Sequence, residues 1–465
     1  MSRKKKFLLE ALLIEQYAAE GKSIAKYQDK IIFVEGAIPG DVVDVWVYKN
    51  KKDYAQGIAQ KFHCYAHDRI DAFCKHFGVC GGCKWQMLSY EKQLSYKEKQ
   101  VQDQLQRIGR IYPQTVWPIL DADSTTWYRN KLEFTASALQ YLSKEDLQAG
   151  LPFKKNVIGF HAPKLFDKVI DVETCYLQQD PSNEIKNFIR AFAIEHQFTF
   201  YHIKEHKGLL RNIMIRVSSQ KEVLVNIQFG EADMENITLL LDALKDTFTI
   251  HSLYYTINTK LNDSLYDQDV ILYAGKPTID EYLEDLVFEI SPKSFFQTNT
   301  KQAEKLYQVV KKVADIKPNE TLYDMYCGTG SIGIFLAKNA KKVIGIESVP
   351  DAIEDAKKNA FRNQLSNLQF YAGDVLKICN SDFFALHGHA DVMIIDPPRA
   401  GCHEKFLEKI IDVLPNRIVY VSCNPATQAR DMLLLSKHYD TIISQAVDMF
   451  PHTHHIENVL LLHTK

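Results

Sequence analysis

Short runs of β-forming residues open the chain. Leu12–Tyr17, Ser23–Tyr27, Lys30–Val34, Val42–Val47 and Tyr54–Gln60 are rich in branched and aromatic side chains. Glu20-Gly21, Pro39-Gly40-Asp41 and the lysine-rich Lys49–Lys52 punctuate them as turns. Five strands in so short a span predict a small barrel of the OB type. A polar helix is expected from about Ser89 to Gly109, with Pro113 and Pro118 ending that unit. From about 124 to 290 the pattern is mixed. Leu209–Val217, Val223–Phe229 and Ser252–Thr259 read as strands and Pro181–Glu195 as a helix, and apart from Cys175 no residue there forms part of a chemical motif.

From Asn299 the texture changes. Asn299 or Thr300 can cap a helix whose apolar face is Ala303, Leu306, Tyr307, Val310 and Val313. Short apolar strands then alternate with amphipathic helices: Leu322–Met325, Ile332–Lys338, Lys342–Ile346, Asp351–Asn363, Val392–Ile395, Phe406–Leu414 and Ile418–Val421. That alternation predicts a doubly wound parallel sheet. The fold class expected is therefore α/β, with a Rossmann-like domain over 291–465. A mixed α+β central domain over 63–290 and an OB-like barrel over 1–62 precede it.

At 465 residues the chain is too long for one ordinary domain, and at 46% hydrophobic it can fill sizeable cores. No apolar run approaches the ~20 residues of a membrane helix. The start, Met1-Ser2-Arg3-Lys4-Lys5-Lys6-Phe7, reads as a basic arm rather than a signal peptide, because Glu10 and Glu15 break the apolar stretch behind it. A cytoplasmic location, with no membrane and no obligate protein partner, is expected. Residues 1–113 hold 19 Lys and Arg against 13 Asp and Glu, so the front is basic although the whole chain carries −2. A basic front end can meet phosphates; solvated surface lysines are the plain alternative.

Thr321-Leu322-Tyr323-Asp324-Met325-Tyr326-Cys327-Gly328-Thr329-Gly330-Ser331-Ile332-Gly333 is a strand running into a glycine loop and a helix. Glu347 ends the next strand, where a carboxylate can accept hydrogen bonds from both ribose hydroxyls of a nucleoside. Alone, this pattern fits a nicotinamide dinucleotide as well as S-adenosylmethionine. Asp396-Pro397-Pro398-Arg399, at the end of a later strand, resembles the polar-Pro-Pro signature of nucleic-acid methyltransferases and favours the methyl donor.

Ser422-Cys423-Asn424-Pro425 sets a cysteine at the tip of the following strand, in a polar turn unsuited to core packing. A thiol has a use in methylating a poor carbon nucleophile. Adding to C6 of uracil, a thiolate turns C5 into an enolate carbon, and a base must then remove the C5 proton. Phe450-Pro451-His452-Thr453-His454-His455-Ile456-Glu457-Asn458-Val459 offers Glu457 for that step. The three histidines also invite a metal reading, but no acidic or cysteine partner lies at ligand spacing.

Taken together, Phe295-Phe296-Gln297, Asp324–Gly333, Asp396–Gly401, Ser422–Pro425 and Phe450–Glu457 resemble the bacterial RNA uridine-5 methyltransferases. The chain is most similar to the branch acting on 23S ribosomal RNA with an N-terminal TRAM barrel, and transfer RNA is the alternative substrate. The resemblance implies Cys423 as nucleophile and Glu457 as base. It implies Gln297, Tyr326, Ser331, Glu347, Asp374 and Asp396 around S-adenosylmethionine. Ser331 departs from the Asn or Thr common at its place, and Asp374 rests on the short string Ala372-Gly373-Asp374. A non-catalytic RNA-binding factor with this fold is the alternative of another class; the presence of both Cys423 and Glu457 counts against it.

Cys74, Cys80 and Cys83 form a C-x5-C-G-G-C segment, and Cys175 is the best distant fourth ligand. Three thiolates plus one suit a 4Fe-4S cluster, in which each iron takes one thiolate, and the resembled family carries one on such a segment. Zinc, with His76, is the alternative. The role expected of the cluster is structural.

Overall fold

The computed structural model describes residues 6–152 and 155–465. The first five residues of the basic arm lie outside them. Strands β1 (Phe7–Tyr17), β2 (Ser23–Tyr27), β3 (Lys30–Glu35), β4 (Val42–Asn50) and β5 (Tyr54–Cys64) close into a barrel in the order β1-β2-β3-β5-β4. Alternation makes the barrel: Leu9, Leu12, Ile14, Val43, Val45 and Val47 point into its core, while Leu8, Leu13 and Trp46 face outward.

Helix α1 (Tyr90–Gln104) follows, capped by Ser89, and continues through a π-helical turn at Leu105–Gly109. Strand β6 (Thr115–Leu120) comes next. The central part is built from β7 (Lys131–Ser137), α2 (Lys144–Gln148), β8 (Val157–His161), β9 (Val169–Asp171), α3 (Ser182–Glu195), β10 (Leu210–Val217), β11 (Val223–Phe229), α4 (Met234–Thr247), β12 (Ser252–Ile257) and β13 (Ile271–Gly275). Its seven strands pair in the order β13-β12-β11-β10-β7-β8-β9. Ile185 and Ile189 of α3 and Ile237, Leu240, Leu241 and Leu244 of α4 share a core with Ile213, Ile215, Val225 and Ile227 of this sheet.

A hairpin, β14 (Ile279–Leu283) and β15 (Leu286–Ile290), leads into the last part. There α5 (Thr300–Ala314), β16 (Thr321–Met325), α6 (Ser331–Leu336), β17 (Lys342–Glu347), α7 (Pro350–Arg362), β18 (Leu368–Ala372), α8 (Val375–Ile378), α9 (Ser381–His387), β19 (Val392–Ile395), α10 (Glu404–Val413), β20 (Arg417–Ser422), α11 (Pro425–Leu435), β21 (Tyr439–Val447) and β22 (Glu457–Thr464) follow in turn. The eight-stranded sheet runs β18-β17-β16-β19-β20-β22-β21-β6. The five strands from β18 to β20 are parallel, as expected. Beyond them the sheet turns antiparallel, because β22 pairs antiparallel with both β20 and β21.

A correction concerns Pro113 and Pro118. They do not simply end the helical unit, since Thr115–Leu120 pairs in parallel with β21 and becomes the outer strand of the C-terminal sheet. Proline is tolerated there because an edge strand leaves one row of N–H groups unpaired. With β6 comes α1, whose Val101 and Leu105 pack among Ile344, Tyr420 and Met432 on one face of that sheet. Leu306, Tyr307 and Val310 of α5 cover the other face.

The contact that pins α1 is an ion pair with neither side chain exposed. Lys97 Nζ donates to Asp448 Oδ1 at 2.6 Å and to the Phe450 carbonyl at 3.1 Å. Tyr90 Oη donates to the other oxygen of Asp448 at 2.9 Å, and the Phe450 N–H donates to Asp448 Oδ1 at 3.1 Å. Breaking one side of such a pair strands a charge away from water. Lys97→Met should therefore cost about 3–5 kcal/mol in denaturant unfolding, and Lys97→Met with Asp448→Asn should recover part of the loss. A loss under about 1 kcal/mol for the single variant would mean that the pair behaves as if solvated.

Candidate active site

The expected site residues gather at the carboxyl ends of β16, β17, β19 and β20, where ligands bind in open α/β sheets. The loop after β16 turns sharply. Tyr326, Gly328 and Gly330 all have positive φ, at +63°, +55° and +76°. A Cβ on Gly330 would lie 3.0 Å from both Ala356 and Phe370, and one on Gly333 would lie 2.9 Å from Asp324 Oδ2. With no side chain on Gly333 in the way, the Asp324 carboxylate accepts the Gly333 N–H at 2.8 Å. Its other oxygen, Oδ1, is buried and has no partner.

Glu347 ends β17 and accepts the Gly328 N–H at 3.2 Å on one oxygen; the other holds Ser348 Oγ and the Val349 N–H. Gly373 N–H donates to the Glu347 carbonyl at 2.7 Å, which brings the Asp374 turn alongside. Asp374 itself is exposed and caps α8 through the Leu376 N–H at 2.8 Å. Ser331 Oγ lies 2.8 Å from Tyr307 Oη on buried α5. The loop bearing Gln297 is tied to the glycine turn by Thr329 Oγ1, which donates to the Phe295 carbonyl at 3.1 Å. Asn130 Nδ2 donates to the Gln297 carbonyl at 2.9 Å from the central part of the chain.

Asp396 follows β19 and Cys423 follows β20. The antiparallel register pairs Ser422 with Asn458, with Cys423 one residue on and Glu457 one residue back. Asn424 holds the cysteine turn: it caps α11 and donates to the Arg399 carbonyl at 3.0 Å.

Burial dominates the electrostatics. It pushes Asp324 up to about 7, with Asp396 and Glu347 adding to the shift, and it pushes half-buried Asp396 up to about 7 as well. Glu457 is raised to about 8 by burial and then by Asp396, with Arg399 opposing. The Cys423 thiol goes up to about 11, first through burial and then through the Glu457 and Asp396 carboxylates, with Arg399 again opposing. The pocket is thus rich in acids that cannot easily ionise until positive charge arrives.

Asp324, Tyr307 and Arg399 belong to this set but were not among the residues expected around the donor. The motif around Asp324 was legible, but its burial was not. Tyr307 reads from sequence as a core position, and its hydroxyl reaches Ser331 only through the packing of α5.

Away from the sheet, Cys74, Cys80, Cys83 and Cys175 all line one cavity of about 420 Å³, together with His76, Arg129 and Thr453. The structure thus brings the remote Cys175 to the other three. Burial raises the Cys80 thiol, lifts Cys83 to about 12 and Cys175 to about 11, and the charge of neighbouring cysteines adds to each shift. Among the described residues, no three His, Cys, Asp or Glu side chains are gathered closely enough to hold a single metal ion.

The sheet with its glycine loop and carboxylate-lined crevice defines an S-adenosylmethionine-dependent methyltransferase. The family described as tRNA (Uracil-5-)-methyltransferase matches residues 276–465. An uncharacterized RNA methyltransferase of Bacteroides thetaiotaomicron is 48% identical over 96% of this chain and 99% of its own length. One of Porphyromonas gingivalis is 45% identical over 97% and 98%. Among solved structures, the Pyrococcus abyssi tRNA (uracil-54, C5)-methyltransferase in complex with S-adenosyl-L-homocysteine superposes with a TM-score of 0.75 at 29% identity, covering 97% of this chain and 99% of that one. The chain belongs to the RNA (uracil-5-)-methyltransferase family and is an enzyme of that class. No described helix is long and apolar enough to cross a membrane.

The raised acids give a pH prediction. A carboxyl whose folded pKa is raised favours the folded state most when protonated, so this contribution is full at acid pH and fades as pH rises to about 8. A sulfonium cation prefers the ionised acids. Affinity for S-adenosylmethionine should therefore rise as pH passes from about 7 to about 8, and affinity for uncharged-sulfur S-adenosylhomocysteine should rise less. Titration calorimetry of both ligands checks this, and identical pH profiles would contradict it.

Proposed function

We propose that this enzyme methylates C5 of a uridine in 23S ribosomal RNA through a covalent adduct on Cys423, with Glu457 as the base. The observation that supports the reading is the strand register, which pairs Ser422 with Asn458 and so sets Cys423 and Glu457 beside that pair, with the Glu457 carboxylate among the charges that raise the Cys423 thiol. In the proposed sequence the Cys423 thiolate forms a bond to C6, and the C5–C6 electron pair makes C5 nucleophilic. S-adenosylmethionine supplies an electrophilic methyl group, and C5 takes it while the carbon–sulfur bond of the donor breaks. The Glu457 carboxylate then removes the C5 proton, the double bond re-forms and the thiolate leaves. A base raised to about 8 is well matched to that proton transfer near neutral pH.

Gln297, Tyr326, Ser331, Glu347, Asp374 and Asp396 are assigned to the donor. The fit rests on the unpartnered buried oxygen of Asp324 and on the acid-rich pocket, both of which suit a ligand bearing donors and positive charge. Residues 1–62 are assigned as a TRAM-like barrel that binds RNA, 63–290 as the central domain apart from α1 and β6, which join the C-terminal sheet, and 291–465 as the methyltransferase domain, in an enzyme of the cytoplasm. The target base must leave its stack to reach both thiol and donor, so a loop uridine is the expected substrate.

Transfer RNA is the second reading, and a specific observation favours it. The Pyrococcus abyssi enzyme, which acts on tRNA, matches 97% of this chain, so the regions outside the methyltransferase domain do not by themselves select ribosomal RNA. The test uses 5-fluorouridine-substituted RNA, from which C5 cannot lose a proton. Wild-type enzyme should form an adduct stable in denaturing gels with 23S RNA and not with tRNA; the reverse moves the substrate to the second reading. Cys423→Ala should form none. Glu457→Gln should accumulate a methylated adduct even on ordinary RNA. Methylation by Cys423→Ala would remove the covalent route.

For the four cysteines we assign a 4Fe-4S cluster. A single ion draws its ligands to a point, whereas one iron per thiolate spreads them around a cage, and four thiols around one cavity fit the second demand. The cluster would cross-link the segment Cys74–Cys83 to Cys175 of the central part. Anaerobically purified protein should contain about four irons and absorb broadly in the visible, and Cys80→Ser should lose both. Stoichiometric zinc in that material would overturn the assignment.

A further inference from the structure

Four consecutive carbonyls in the turn that leads to Glu457 are each taken by a donor from a different part of the chain. The Met449 carbonyl accepts Asn299 Nδ2 at 2.9 Å, and that of Phe450 accepts Lys97 Nζ at 3.1 Å. The Pro451 carbonyl accepts Tyr128 Oη at 3.0 Å. The His452 carbonyl accepts two N–H groups of the cysteine segment, Lys84 at 2.7 Å and Trp85 at 3.1 Å. A loop so fully engaged has one geometry available to it.

His452 is the bend in that loop. Its φ is +63°, a left-handed conformation that a residue with a Cβ keeps only when its surroundings over-determine it. Gln93 of α1 completes that determination. Its Oε1 accepts the His452 N–H at 2.8 Å, and its Nε2 lies 3.1 Å from His452 Nδ1. The same Nε2 donates to the Trp85 and Leu88 carbonyls at 3.0 Å, so the amide is itself locked, with none of its surface exposed. Cys423 has supports besides β22: the pairing of β20 with β19, the Asn424 cap of α11 and the Arg399 carbonyl.

We infer that Gln93 is a positioning residue for the proton-removal step: by holding His452 left-handed it sets where β22 begins and hence where the Glu457 carboxyl stands. The inference rests on Glu457 being the base. It has a physical consequence that a purely structural role lacks. Loosening the turn displaces Glu457 and leaves the thiol in place, so the reaction should lose its last step before its first.

The test separates those steps. Trapping on 5-fluorouridine RNA reads addition and methyl transfer; turnover on ordinary RNA reads proton removal as well. Gln93→Ala should lower turnover about 10²-fold, the scale of a misplacement of about 1 Å, while its trapping rate stays near that of the wild type. Methylated protein–RNA adduct should accumulate on ordinary RNA. Tyr128→Phe, which removes one hydroxyl from the same turn and asks little of folding, should shift the same balance in the same direction by a smaller factor. Equal falls in trapping and turnover, or no fall in either variant, would overturn the inference. Glu457→Gln is run beside them. If it accumulates no adduct, the base assignment fails; if it does and neither of the other variants follows it, only the role of Gln93 falls.

Discussion

Asp324 and Glu457 are buried and Asp396 half-buried at the carboxyl edge of one sheet, with the Arg399 guanidinium as the opposing charge felt by Glu457. Most of what the molecule does follows from the cost of ionising acids in that place. Burial raises these acids and the Cys423 thiol alike, and wherever Glu457 or Asp396 does ionise its charge raises the thiol further. A cation arriving beside them favours the ionised carboxylates.

That chemistry is local to four strand ends, but its support is not. Helix α1 and strand β6 lie far from the donor loop in sequence, yet they complete the sheet and close over the turn before Glu457. The cysteine segment reaches the same turn through the N–H groups of Lys84 and Trp85. Asn130 ties the central part of the chain to the Gln297 loop and, through Thr300 and Glu281, to the hairpin before it. The three parts of the chain therefore meet on two loops, those of Gln297 and Glu457.

Strand ends were readable because their signals are short and chemical. Glycines in a turn, Asp-Pro-Pro and Ser-Cys-Asn-Pro mark a crevice from a few residues each. The barrel was readable because alternation survives in β1 to β5. The antiparallel β21–β22 pair and the edge strand β6 were not, because pairing between distant segments leaves no trace in periodicity, and Pro118 argued against a strand. Helix α4 does carry its own signal, with an Asp233 cap and Ile237, Leu240, Leu241 and Leu244 along one stripe. Gln93 and Lys97 sit four residues apart with Val101 on the inward face of a polar helix. Their polarity reads as a solvent face, and only Asp448 and His452 across the interface give them a buried role.

The central claim is that the methyl group goes to C5 of an RNA uridine and that the C5 hydrogen leaves as it does. RNA tritiated at C5 of uridine reports this directly. The enzyme with S-adenosylmethionine should release tritium to water in step with methyl incorporation, and Cys423→Ala should release none. Methyl incorporation without tritium release would place the reaction at another atom and contradict the account.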